Sequence, residues 1–432
     1  MRKVELLFAA AALLLFPTFV VADTLNVDCG NPSPPPGTYS SISGALSALS
    51  FIGPNTINVT GTCAESLNLT GYQNLTIQAT SLGAATLSPG NPNSAAFSLT
   101  SSRLIVFRRL ILKRGVRIGR DSEATLDNCT VEDSTGAGVN VGPQAIVTVS
   151  GSTLQNNAAA GLRATSNSSV ILGGNNLSQA VLITGNSGGG ISGDGSAIDL
   201  NGNVTIENNN GNGLAVTGGR LNLNATNADN ILRNNTASGV VVQGSGSATF
   251  VGQNSIQNNP AIGVLVVASS AQFNERALPD GTVRATLIEG SVNSGITVAD
   301  SGQANLQGHH KIRNNGSTTD CPSTVCGGVR AFNSSTFGIS NGVEITNNVG
   351  PGIFTDMHSD IVVVTPVTVS GNTGGDIQLT LASGMMVLYP GSTGNAIGSV
   401  TCDDTGFLSG ELGGISLIDC KNVIVQKQKK SN

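Results

Sequence analysis

Gln257-Asn258-Asn259-Pro260-Ala261-Ile262-Gly263-Val264-Leu265-Val266 decides the fold. An Asn doublet, three further residues, then Gly and an aliphatic residue open a run in which apolar side chains alternate. The same string recurs at Asn156-Asn157 with Gly161-Leu162, Asn208-Asn209 with Gly213-Leu214, Asn234-Asn235 with Gly239-Val240, and Asn347-Asn348 with Gly352-Ile353. Weaker copies begin at Gly115, Gly138, Gly190, Gly295, Gly328 and Asp376, so eleven anchors follow one another at intervals of 23 to 33 residues. Self-similarity at such a period marks a solenoid, whose coils bury one continuous core by stacking.

Each unit reads as strands. Val139/Val141, Leu214/Val216, Val240/Val242, Val264/Val266 and Ile296/Val298 keep the period-two spacing of a strand with one face buried. A second apolar run follows in most units, such as Ile146-Val147-Thr148-Val149 or Leu221-Asn222-Leu223, and Gly, Asn and Ser separate the runs. Three short strands and three turns fill one coil. Eleven coils spaced by the parallel-strand distance make a rod on the order of 50 Å long.

Composition narrows the function classes. Of 432 residues, 11% are charged and 3% aromatic, with no Trp, and the net charge is -5. A nucleic-acid partner held by a basic surface is excluded on that balance. Three His and seven Cys argue against a His/Cys metal cluster. Arg2 and Lys3, the apolar stretch from Val4 to Val21, and the small residues ending at Ala22 predict a secretory signal peptide over residues 1–22. No later stretch reads as a membrane-spanning helix. A secreted protein and an oxidising compartment follow as expectations. Cys29 with Cys63, Cys321 with Cys326, and Cys402 with Cys420 are candidate local disulfides, leaving Cys129 as a buried small hydrophobe.

The coil pattern resembles the right-handed parallel β-helix of the pectate-lyase-like superfamily over roughly Asn55 to Ser383. The resemblance implies an all-β solenoid of about 11–13 coils. It also implies an internal asparagine ladder formed by Asn157, Asn186, Asn209, Asn235, Asn259, Asn348 and Asn372, each four residues before its anchor. The segment from Tyr39 to Leu49 is similar to that family's N-terminal capping helix. The expected organisation is a cap over 23–54, the β-helix over 55–400, and a disulfide-closed C-terminal cap with a basic tail over 401–432.

Aligning the coils places distant residues side by side. Six positions before the anchors the column reads Glu132, Gln155, Thr184, Glu207, Arg233, Gln257, Glu289, Arg313, Thr346, Ser370. Arg313 enters it if the extra residues of its coil follow Asn315. Glu289 and Arg313 are then candidate ligand-binding residues or a cross-coil ion pair, as are Glu207 and Arg233. Two positions after the anchors lie Arg117, Asn140 and Arg163, and further on Arg330 and Phe354. Period-two geometry directs Asp356 and His358 to one side beside them. An Asp–His pair can move protons on a sugar. The string Asp356-Met357-His358-Ser359-Asp360 loosely resembles the Asp-Pro-His-Asp motif of β-helix alginate epimerases, without its Pro and with the second Asp shifted by one.

Asp356, His358 and Arg330 are therefore the candidate catalytic residues, with Phe354 beside them for binding. Gly308-His309-His310-Lys311-Ile312-Arg313 is similar to polygalacturonase fragments in the wrong arrangement. No cofactor is expected; calcium stays open as the one alternative, although no acidic cluster emerges to hold it. Inserted segments around 274–282 and 318–326 are expected to protrude. The expected partner is an extracellular polysaccharide, anionic in character, or a cell-surface ligand. The protein binds or processes it as a lyase, hydrolase or epimerase, or else serves as a non-catalytic adhesin-like rod.

Overall fold

The computed structural model describes residues 22–174, 176–319, 326–364, 366–388, 396–410 and 415–425. The predicted leader up to Val21, Cys321, and tail residues Lys427, Lys429 and Lys430 lie outside the described residues.

Most coils among the described residues contribute three strands, one to each of three parallel ladders. Strands such as Glu123–Asp127, Ile146–Ser150 and Ser169–Leu172 build the first ladder. Thr130–Glu132 and Thr153–Gln155 belong to the second, and Val116–Ile118 and Val139–Val141 to the third. The first two ladders merge into one 29-stranded sheet because Ile52–Cys63, Arg220–Arg233 and Ser247–Gln257 each run unbroken around the corner between them. The third ladder is a separate sheet of 15 strands, about 70 Å along the axis at the usual strand spacing. This is a parallel β-helix.

The eleven Gly or Asp anchors mark eleven consecutive strands of the third ladder, standing just before nine of them and inside Ser294–Ala299 and Gly327–Phe332 at Gly295 and Gly328. Two further strands extend it at each end, Leu67–Thr70 and Phe97–Thr100 before, Ser399–Cys402 and Ser416–Ile418 after. Ser66 and Ala96 precede the first two, and the last two begin with Ser399 and Ser416, so small residues stand where the repeat has Gly. Strand pairing also passes both expected boundaries, 55 and 400. Thr24–Asp28 pairs with the strand at Thr56, and Asn422–Val425 pairs with Phe407–Gly410.

The Asn doublet has two separate jobs. Its first member turns the corner between the second and third ladders in the left-handed region, with φ of 53° at Asn156, 56° at Asn208, 54° at Asn234 and 51° at Asn258. Asn tolerates that region better than most side chains. Its second member points inward and forms the ladder. Nδ2 donates to the next Oδ1 from Asn157 to Asn186 (2.9 Å), Asn186 to Asn209 (2.9 Å), Asn209 to Asn235 (3.0 Å) and Asn235 to Asn259 (3.2 Å). Ser291 interrupts the column, its buried Oγ without a partner. The ladder resumes from Asn315 to Asn348 (3.1 Å) and on to Asn372 (2.9 Å). The anchor Gly is required by this packing: a β-carbon on Gly138 would lie 2.6 Å from Asn157 Nδ2 and 2.8 Å from Gly161 O.

Val, Ile and Leu fill the axial core, with Phe250 stacked on Phe273 at 4.2 Å. A short helix, Ile42–Ala48, closes the N-terminal end with buried Ile42, Ala45 and Leu46. Ser41 Oγ accepts from Gly44 N–H at its start, and Glu65 accepts from Ile42 N–H at 2.7 Å. Cys29–Cys63 and Cys402–Cys420 are disulfides. Cys129 is a free thiol, 2% exposed, and its burial pushes the pKa up to about 12. No helix among the described residues is long and apolar enough to cross a membrane.

Candidate functional site

The outer face of the first ladder carries an open groove of about 500 Å³ across four successive strands. These are Ser270–Asn274, Gln303–Gln307, Thr336–Ser340 and Asp360–Val364. Strand alternation buries Ala271, Phe273, Ala304, Leu306, Phe337, Ile339, Ile361 and Val363, and turns the residues between them outward. Parallel register aligns the outward side chains in rows. Ser270 stands beside Gln303, Thr336 and Asp360; Gln272 beside Asn305, Gly338 and Val362; Asn274 beside Gln307, Ser340 and Val364. Gly338 opens the middle, since a β-carbon there would lie 2.8 Å from Asn305 Oδ1.

The side chains that line the groove are amides, hydroxyls and aliphatic surface, and the exposed Asp360 carboxylate stands at the end of one outward row. Such a wall can hydrogen-bond hydroxyl groups in both senses, since each amide offers donors and an acceptor. Its lining side chains hold no acid–base pair.

The insertion after Asn274 stands at the groove's margin as an antiparallel hairpin, Arg276–Ala277 with Val283–Arg284. Glu275 at its base accepts from His309 N–H at 2.8 Å and contacts His309 Nδ1 at 2.6 Å. Partial burial pushes the Glu275 carboxyl up, but the His309 hydrogen bonds outweigh it and hold the group below the usual carboxylate range. His310 points the other way, into the core. Its Nδ1 accepts from Thr286 N–H at 3.0 Å, so Nε2 carries the proton and donates to Gln307 O at 3.1 Å. Burial pushes its pKa down to about 4.

The residues proposed from sequence do not converge on one place. Glu289 and Arg313 meet on the second ladder at 2.9 Å. The whole ten-residue column holds in register, and Glu207 and Arg233 pair at 2.7 Å. Arg330 and Phe354 sit side by side on the third ladder. Arg330 lies 4.3 Å over the Phe332 ring and reaches Asp356 Oδ2 at 3.3 Å.

The expected Asp356–His358 pair is not formed. Strand Ile353–Thr355 ends one residue before Asp356, and Met357 and His358 turn through left-handed φ of 52° and 63°. Period-two alternation therefore stops. Asp356 is buried against Arg330 while His358 is exposed. Among the described residues, the clustered donor atoms of Cys29, Cys63 and Glu65 offer no metal site, because the sulfurs are disulfide-bonded and Glu65 caps the helix.

The groove escaped sequence reasoning because no single residue in it looks catalytic. The recurring outward Gln and Asn at one period of the repeat were the available signal.

A family model described as "Right handed beta helix region" matches residues 114–278. No curated protein matches the sequence. Among solved structures, the chain is similar to the A-module of mannuronan C-5 epimerase AlgE4 of Azotobacter vinelandii, at 13% identity over 90% of this chain and 92% of that one, with a TM-score of 0.31. Pectate lyase Pel9A matches at 14% identity over 83% and 82%, with a TM-score of 0.28. PfbA, a surface adhesin of Streptococcus pneumoniae, matches at 9% identity over 89% and 86%, with a TM-score of 0.20.

Proposed function

We propose that this protein binds an extracellular polysaccharide along the groove of its first ladder, without turning it over there. The carrying observation is the register of Gln272, Gln303, Asn305, Gln307, Thr336 and Ser340 on adjacent strands. Neighbouring side chains repeat at the strand spacing of about 4.8 Å, a periodic set of hydrogen-bonding groups suited to a chain of repeated hydroxylated units. The lining side chains are uncharged and the Asp360 carboxylate at the end of one row repels anions, so a neutral stretch of glycan fits the groove better than an anionic one. Aliphatic Val362 and Val364 offer apolar contact at one end. Arg330, Asp356 and His358 supply no assembled acid–base pair, which favours binding over catalysis. The Cys29–Cys63 and Cys402–Cys420 disulfides and the leader-like N-terminal sequence support secretion.

The test is calorimetric titration of the 23–432 chain with a panel of neutral and acidic polysaccharides, with and without calcium. Saturable binding that Asn305→Ala weakens supports the reading; binding indifferent to Asn305 overturns it.

A further inference from the structure

One corner of the solenoid is cut short. Strand Ile111–Lys113 ends two residues before Val116–Ile118 begins, so Arg114 and Gly115 make the whole turn. In the next coil six residues, 133–138, separate Thr130–Glu132 from Val139–Val141. In the coil before, nine residues, 88–96, separate Ala85–Leu87 from Phe97–Thr100. The short turn leaves a recess of about 140 Å³ between its two longer neighbours. Arg114 and Arg117 line it with Asn93, Thr135, Gly136 and Asn140, and no carboxylate does.

The two guanidinium groups are under-used. Arg114 Nε is buried without a partner. Arg114 Nη1 reaches only Asp133 O, and Arg117 Nη2 only Asn93 O, each at 3.5 Å. The nearby Asp133 carboxylate, which borders the adjoining depression, is engaged by Lys113 at 3.0 Å. Seven of the chain's 21 Lys and Arg residues fall within 103–120. Of the seven described basic residues without a carboxylate partner, six are arginines between 103 and 163.

Arg114 also occupies a costly position. Its φ of 74° places it at the left-handed corner where other coils have Asp133, Asn156, Gly185 or Asn208. One register column carries Arg117, Asn140 and Arg163 on successive strands, which sets the two guanidinium-bearing residues about 10 Å apart.

We propose that this recess binds an oxyanion, held by Arg114 from within and Arg117 at the rim, as carried by the carboxylate or sulfate of an acidic saccharide or by a free inorganic anion. Fork-shaped guanidinium groups suit that chemistry. The site lies on different coils from the neutral groove and does not depend on it.

The test is titration of the 23–432 chain with inorganic sulfate, inorganic phosphate and trigalacturonate at low salt. Two variants report on the site. Arg114→Gly keeps a residue that Gly185, Gly290 and Gly371 already show at this corner, and Arg117→Ser keeps one that Ser98 and Ser192 show in that column. At least one anion should bind saturably, with affinity falling tenfold or more in Arg114→Gly and unchanged in Asn305→Ala. Tighter binding of trigalacturonate assigns the saccharide source, and tighter binding of sulfate or phosphate the free anion. No binding by the unmodified chain, or equal binding by Arg114→Gly, overturns the proposal.

Discussion

The side-chain amide of Asn209 donates to Asn235 Oδ1 one coil away at 3.0 Å, while Asn209 Oδ1 accepts from Asn186 Nδ2 at 2.9 Å. The second amide hydrogen of Asn209 is shared between Ile183 O and Glu207 O, each 3.0 Å from Nδ2, and the side chain is fully buried. One side chain thus ties three coils together. Its neighbour Asn208 does none of this and serves through its backbone, at φ 56°.

Replacing Asn209 by Ala leaves buried partners unsatisfied and should cost about 2–5 kcal/mol. Asn208→Gly should stay within about 0.5 kcal/mol, whereas Asn208→Val should cost about 1–2 kcal/mol for forcing a branched residue into the left-handed region. Urea unfolding of the three variants checks the order. Equal effects at 208 and 209 would contradict the division of labour.

His310 should make stability depend on pH. Above about pH 6.5 its imidazole is neutral whether the chain is folded or not. Between 6.5 and about 4 the unfolded chain takes up a proton that the buried ring refuses. Stability therefore falls on acidification, by about 1.4 kcal/mol per pH unit and about 3 kcal/mol in all, and this contribution levels off below pH 4. His310→Gln should flatten that part of the stability–pH curve. A curve of unchanged slope would show that another group is responsible.

Arg330 and Asp356 should matter for folding, and His358 should not. The pair is mostly buried, with side-chain exposures of 22% and 9%. Asp356→Ala strands the guanidinium and should cost about 3–5 kcal/mol. His358→Ala, on an exposed turn, should stay within about 0.5 kcal/mol. Loss of a glycan-modifying activity in His358→Ala, with stability kept, would restore the catalytic reading of this segment.

Cys129 should be chemically silent. Its Sγ lies 3.3 Å from Phe107 O in the core, and burial disfavours the thiolate. A thiol reagent should label it only on unfolding. Rapid labelling of the native chain would mean that the coil opens there.

The register of the coils was legible because two constraints repeat in sequence: the left-handed corner selects Asn, and the close approach of the next coil selects Gly. Those two residues placed all ten members of the Glu132-to-Ser370 column, including Arg313 across an insertion. The ends were less legible, since Ser66, Ala96, Ser399 and Ser416 stand at the anchor position there and the Gly signature is missing. Asp356 and His358 were misplaced because Met357 and His358 turn left-handed without a Gly or Asn to announce it. The groove and the Arg114 recess arise from adjacency between coils and from the length of a turn, neither of which any one residue encodes.

The most direct test of the central claim is calorimetric and proton-NMR titration of the 23–432 chain, and of its Gln272→Ala/Asn305→Ala variant, with neutral polysaccharides. The account predicts saturable binding by the unmodified chain, a loss of tenfold or more in the variant, and glycan spectra unchanged over time. Time-dependent conversion of the glycan, equal binding by the variant, or no binding across the panel would contradict it.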